Sequence, residues 1–232
     1  MVAIVVILSV GILKLGDVSY LFGWLMKRTD MATNKDCVIV VHGFGGKRLW
    51  MWPLVNRLRR DFDVLNWSYF SFAGSVQRHA ERLSARLVET ASQDTSRKIH
   101  LVAHSMGSIV ARAAIAKEMP ANFGRLVLLA PPNSGSPVAR IASKGFGWAC
   151  QPLSDLSDDP NSYVNSMPAH CGPPTAVIAA RYDLLVPRES AKLDGSKQHT
   201  ELSATHNSLL FSPRVGKMVA KFLGPTTACD AG

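Results

Sequence analysis

Along this chain, short unbroken apolar runs alternate with longer stretches in which apolar residues return every three or four positions. Cys37–Val41 is a continuous apolar run that ends at "HGFGG". Ile99–Ala103, Gly124–Ala130 and Thr175–Ala180 are similar short, mainly apolar stretches, and Val64–Phe70 and the more polar Gln198–Ala204 are further expected strands. Between them, Ser75–Thr90 places Val76, Ala80, Leu83 and Leu87 on one helical face and Arg78, Glu81, Arg82 and Glu89 elsewhere. Ile109, Val110, Ala113 and Ala114 share a face of a second helix that follows Ser105. Ser212 with Pro213 opens a last helix running to about Leu223, because Ser caps a helix N-terminus and Pro fits its first position. Strands buried on both faces that alternate with helices predict an α/β fold, a mostly parallel central sheet with helices on both sides. The connection from Pro131 to Pro174 is long and irregular, carries Phe146, Trp148 and the acidic run Asp155–Asp159, and reads as a lid or binding loop.

Ahead of this pattern stands "MVAIVVILSVGILKLGDVSYLFGWLMKRTD". As a helix, Val2–Met26 would reach ~37 Å, enough for a ~30 Å hydrocarbon core. Lys14 and Asp17 near its middle cost roughly 6 kcal/mol together, and the Val, Ile, Leu and Phe side chains return about as much. Three positions apart, the two charges partly neutralise each other. No basic residue precedes the apolar run and no A-x-A site follows it, which argues against a cleaved signal peptide. Residues 1–28 are therefore expected to form an uncleaved apolar N-terminal helix acting as a membrane anchor, the alternative being an interfacial or core-packed helix. Lys27 and Arg28 favour a cytoplasmic catalytic domain. The expected division is 1–28 anchor, 29–35 linker, 36–224 catalytic domain with 131–174 as a possible lid, and 225–232 tail.

Composition adds limits. At 232 residues with 47% hydrophobic and 19% charged positions, the chain suits one large folded domain or at most two small ones. A net charge of +9 fits a basic surface or attraction to anionic headgroups. No basic stripe or recognised motif supports nucleic acid as a partner. Cys37, Cys150, Cys171 and Cys229 form no C-x-x-C pair, against zinc or thioredoxin-like chemistry. Cys37 reads as a small core residue, and Cys150 and Cys171 could bridge the long connection in an oxidising compartment.

The candidate chemistry sits in "AHSMG", Ala103–Gly107, between a strand and a helix. A serine hydroxyl needs a base to become a nucleophile. A sharp strand-to-helix turn exposes it, and only small residues fit two positions away on either side. The helix N-terminus behind it favours developing negative charge. An oxyanion needs two fixed backbone donors: the amide of Met106 and, from the Gly-rich loop after Cys37–Val41, that of Phe44. His42 and Gly43 in that loop and His104 in the elbow are the expected substrate-side residues. Asp183, just past the Thr175 strand, and His206, in the loop before the last helix, follow in the order nucleophile, acid, base. His199 is the rival base. Asp155, Asp158 and Asp159 read as solvated and Asp194 as a turn residue.

With "VVHGFGG", "NWSYFS", "AHSMGS", "LLAPPNSGS", "DLLVPRES" and "THNSLL" in this order, Asp36–Leu223 resembles the α/β-hydrolase superfamily, in particular small bacterial lipases and esterases and GPI-inositol-deacylase-like proteins. The resemblance implies hydrolysis of carboxylic (acyl) esters, including lipids, through an acyl-enzyme on Ser105, His206 and Asp183, with no metal or organic cofactor. Ala103 stands for the usual first glycine, and Ser108 for a second glycine often found after the elbow. Acyl transfer or thioester hydrolysis would use the same residues, and a non-catalytic binding protein could share the fold.

Overall fold

The computed structural model describes residues 35–224. Contacts divide the chain into Met1–Asn34 and Lys35–Gly232, and the described residues belong to the second unit. The expected anchor helix of residues 1–28 and the tail 225–232 lie outside the described residues. Among the described residues no helix is long and apolar enough to cross a membrane.

Six strands form one sheet: β1 Cys37–Val41, β2 Asp63–Trp67, β3 Ile99–His104, β4 Phe123–Leu129, β5 Thr175–Ala180 and β6 Gln198–Leu202, in the order β2-β1-β3-β4-β5-β6. Every pair is parallel. β1, β3 and β5 are buried along their whole length. Their apolar residues leave no solvated face, so helices must cover both sides. α2 Val76–Gln93 and α3 Met106–Lys117 pack with Ile39 and Val41 on one side. α1 Arg48–Leu58 and α6 Pro213–Leu223 pack with Val38 and Val40 on the other. The alternation of β1 side chains between the two cores is the period of two that a strand imposes. α3 is buried from Met106 to Ile115, which its Ala- and Ile-rich sequence permits on every side.

Several expectations need correction. β2 ends at Trp67, not Phe70, because Ser68 and Tyr69 leave the sheet to hold His42. β2 and β6 are edge strands, half-buried or exposed along most of their length, and β4 is half-buried over its first three residues, so the expectation of strands buried on both faces holds throughout for β1, β3 and β5. α1 was not among the expected elements. The 131–174 connection is not irregular throughout: it holds α4 Pro137–Phe146, α5 Gln151–Asp155 and a 3-10 turn at Val164–Ser166. Asp155 is buried, not solvated, and its Oδ2 accepts the Val76 N–H at 2.7 Å at the start of α2. Asp158 is paired with Arg140 at 2.6 Å. Among the described residues Cys37, Cys150 and Cys171 are free thiols, so the bridge between Cys150 and Cys171 is not formed.

Candidate active site

In a parallel sheet all strands deliver their following loops to the same edge. The neighbours of β1 are β2 and β3, so successive connections run in opposite directions from it, and a crevice opens there at the carboxyl ends. Ser105 follows β3, the His42–Gly46 loop follows β1, Asp183 follows β5 and His206 follows β6.

Ser105 sits at φ 53°, ψ −128°, a conformation that L side chains rarely adopt. Its N–H is tied to Leu129 O at 2.9 Å, and Ser108 N–H closes the first turn of α3 on Ser105 O at 2.8 Å. The need for small neighbours is visible in the packing. A Cβ on Gly107 would lie 2.5 Å from His42 O, and one on Gly43 would lie 2.7 Å from Ser105 Cβ. Ser108, in place of the second glycine, donates its hydroxyl to Ala103 O at 3.1 Å.

The three polar side chains form one relay. His206 Nδ1–H donates to Asp183 Oδ2 at 2.7 Å, and Ser105 Oγ–H donates to His206 Nε2 at 2.8 Å. The carboxylate fixes the tautomer, leaving the Nε2 lone pair for the serine. The Asp183 side chain is 2% exposed. Burial pushes its pKa up, but the His206 hydrogen bond and charge and the N–H groups of Val186 and Leu185 hold it below the ordinary carboxylate value. The carboxylate stays charged where it is needed. The rival His199 lies on exposed β6, away from this relay.

His42 and His104 are buried, at 1% and 4% exposure, with their polar atoms turned to the protein. Carbonyl oxygens only accept, so His42 Nδ1–H donates to Gly43 O at 2.9 Å, and Gly46 N–H reaches the same oxygen at 3.1 Å. His42 Nε2 then accepts from Ser68 Oγ–H at 3.2 Å, and Tyr69 OH donates to His42 O at 2.9 Å while its ring stacks on the imidazole. Two donors thus pin the Gly43 carbonyl. Because a peptide is planar and trans, the Phe44 N–H of the same unit points the opposite way. Gly45 N–H is held by Ser71 Oγ at 2.9 Å. Met106 N–H, at the first position of α3, has no partner within its helix. His104 Nε2–H donates to the carbonyl of His206 at 3.1 Å, and the two rings lie 4.8 Å apart. Burial, with His206 adding to it, pushes the His104 pKa down to about 3, so it is a neutral donor.

The cavity over Ser105 measures about 210 Å³, and its lining includes the expected His42, Gly43 and His104 together with Phe44, Trp50 and Leu185. Ser68, Tyr69 and Ser71 were not anticipated as site residues, although "NWSYFS" stood among the matching motifs. Ser136 was also missed. Its Oγ donates to Leu185 O at 2.6 Å, tying the "LLAPPNSGS" loop to the loop that bears Asp183.

A model described as "Alpha/beta hydrolase family" matches residues 38–194. The chain belongs to the alpha/beta hydrolase family. Among solved structures, Bacillus licheniformis lipase BlEst2 in its mature form is similar at TM-score 0.66 and 16% identity, over 82% of this chain and 93% of that one. A hydrolase from Pseudomonas aeruginosa PA01 gives 0.60 and 20%, over 84% and 92%. The type II thioesterase BorB from the borrelidin biosynthetic cluster gives 0.59 and 18%, over 82% and 92%. At these identities the likeness concerns the fold. No curated protein sequence matches the chain.

Proposed function

We propose that this α/β hydrolase is a serine hydrolase of carboxylic acyl esters. The observation that carries the reading is the unbroken relay Asp183–His206–Ser105, with hydrogen bonds of 2.7 and 2.8 Å, at a serine of positive φ. Ser105 Oγ attacks the acyl carbonyl carbon as His206 Nε2 takes its proton. The Asp183 carboxylate stabilises the resulting imidazolium. The tetrahedral oxyanion is received by the Phe44 and Met106 N–H groups. Collapse expels the alcohol, which takes the proton from His206 and leaves an acyl-Ser105 ester. Water, deprotonated by His206, then releases the carboxylic acid and restores the serine.

The reading extends to lipid esters at a membrane. It is supported by exposed apolar side chains near the site, Trp50, Phe72 and Leu184, and along the connection, Ile141, Phe146 and Trp148. The charge of +9 and the apolar residues 1–28 point the same way, and Lys27 and Arg28 favour a cytoplasmic domain.

Hydrolysis of p-nitrophenyl acyl esters and of matched acyl thioesters by the full chain in detergent tests the reading. Ester turnover that exceeds thioester turnover and is abolished by Ser105→Ala supports it. Preference for the thioester would move the assignment to thioesterase. Equal turnover by wild type and Ser105→Ala would overturn it. Recovery of the full chain in the soluble fraction without detergent would remove the membrane part.

A further inference from the structure

A larger cavity, about 350 Å³, opens beside the C-terminal half of α3 and shares no lining residue with the cavity over Ser105. Arg112 stands in its wall, seven residues beyond Ser105 and so roughly 10 Å along the helix. A neighbouring cavity of about 320 Å³ shares Arg112 and the Met167–His170 segment.

Arg112 is 7% exposed. Its guanidinium has five donors, and among the described residues it makes one hydrogen bond, from Nη1 to Asn133 Oδ1 at 2.9 Å. No carboxylate among the described residues forms an ion pair with it. Glu189, on the wall of the neighbouring cavity, is held by Lys192 at 2.5 Å. Asp194 lines that second cavity too, but not the larger one. A buried charge without a counter-charge is expensive unless something compensates it. His170 does not. Its Nε2–H is committed to Thr175 Oγ1 at 2.9 Å, and burial and Arg112 both disfavour its protonation. The larger cavity therefore offers one cation, and its other walls are mainly apolar: Ile115, Ala116, Met119, Met167 and Pro168. Its volume is that of a small-molecule site.

We propose that this cavity binds a medium-chain aliphatic carboxylate, its headgroup on Arg112 and its chain along Ile115, Met119 and Met167. A single cation matches one negative charge rather than a phosphate dianion, and the apolar walls select a tail. The site is separate from the relay and stands whether or not Ser105 is a nucleophile.

Calorimetric titration of the full chain in a non-ionic detergent with octanoate, octanamide and inorganic phosphate tests it. Wild type is expected to bind one octanoate, octanamide at least tenfold more weakly, and phosphate without measurable heat. Arg112→Met should weaken octanoate at least tenfold. Because Arg112 is buried, Ala116→Trp serves as the second variant: it starts from an exposed position, fills the cavity and should have the same effect. Equal affinity for octanoate and octanamide, binding untouched by both variants, or no saturable binding would overturn the proposal. So would binding lost in Ser105→Trp but kept in Arg112→Met, which would place octanoate over the nucleophile.

Discussion

At the scale of single residues, two neutral histidines separate the tasks of the site. His42 holds the peptide that aims Phe44 N–H, and His104 holds the carbonyl of His206. His104→Leu would leave that carbonyl unpaired, and a misplaced imidazole would lower kcat/KM for an acyl ester by roughly 10–100-fold. His104→Gln, whose amide N–H can donate from a similar place, should recover most of the loss, and a mere loss of fold would not be rescued in this way. Asp183→Asn should lower kcat by about 10³–10⁴-fold while leaving the melting transition in place, since it removes the group that sets the imidazole tautomer. The thiols make a third case. Cys37 is buried and its pKa is raised to about 11, by desolvation first and Asp63 second, whereas Cys171 is exposed. Maleimide labelling at pH 8 followed by peptide mass spectrometry should find Cys171 modified in the native chain and Cys37 only after denaturation. The sequence put Ser105, Asp183 and His206 in loops after β3, β5 and β6, and the structure brings these three side chains within hydrogen-bond distance because a parallel sheet delivers those loops to one edge. The sequence carried no sign that His42 and His104 turn inward, because hydrogen-bond direction depends on partners, such as Ser68 and the His206 carbonyl, that are distant in the chain.

At the scale of elements, what was legible is what a period of two or 3.6 can carry. β1, β5 and α6 appear with the expected bounds because their apolar runs are unbroken or their caps explicit. α1 was not legible. Its buried Met51, Leu54, Val55 and Leu58 do have helical spacing, but exposed Leu49, Trp50 and Trp52 fill the other face with apolar residues, and Pro53 reads as a breaker. The start of α2 shows the same limit from the other side. Ser75 stood only as the first residue of the expected helix; in the structure it is the cap, its hydroxyl accepting the Arg78 N–H at 3.1 Å. The second cap, Asp155, comes from 79 residues away and could not be read locally. Asp155→Ala should cost about 1–3 kcal/mol in urea unfolding, with ester turnover per folded molecule unchanged.

At the scale of the whole molecule, the folded domain buries imidazoles as neutral groups. His42, His79, His100, His104 and His170 all have pKa values lowered, with burial the largest cause in each. A histidine whose pKa is depressed on folding contributes stability that is present above its unfolded value of about 6.5 and lost as pH falls toward the folded value. For His104 that window runs down to about 3. Melting temperature should therefore drop steadily from pH 7 to pH 4, and His104→Gln should flatten the dependence. An unchanged melting temperature over that range would contradict the burial of neutral rings. The general basicity of the chain was visible in its composition, but which histidines fold inside was not, since buried His100 and His104 lie in strand β3, His79 on α2 and His42 in a loop.

The most direct test of an activated serine is labelling of the purified full chain, in detergent, by a fluorophosphonate, which bonds covalently to nucleophilic serines. Labelling mapped to Ser105, lost in Ser105→Ala and strongly reduced in His206→Ala, is the expected result. A wild-type chain that melts cooperatively yet takes no label, or is labelled equally after Ser105→Ala, would contradict the assignment of the relay as catalytic.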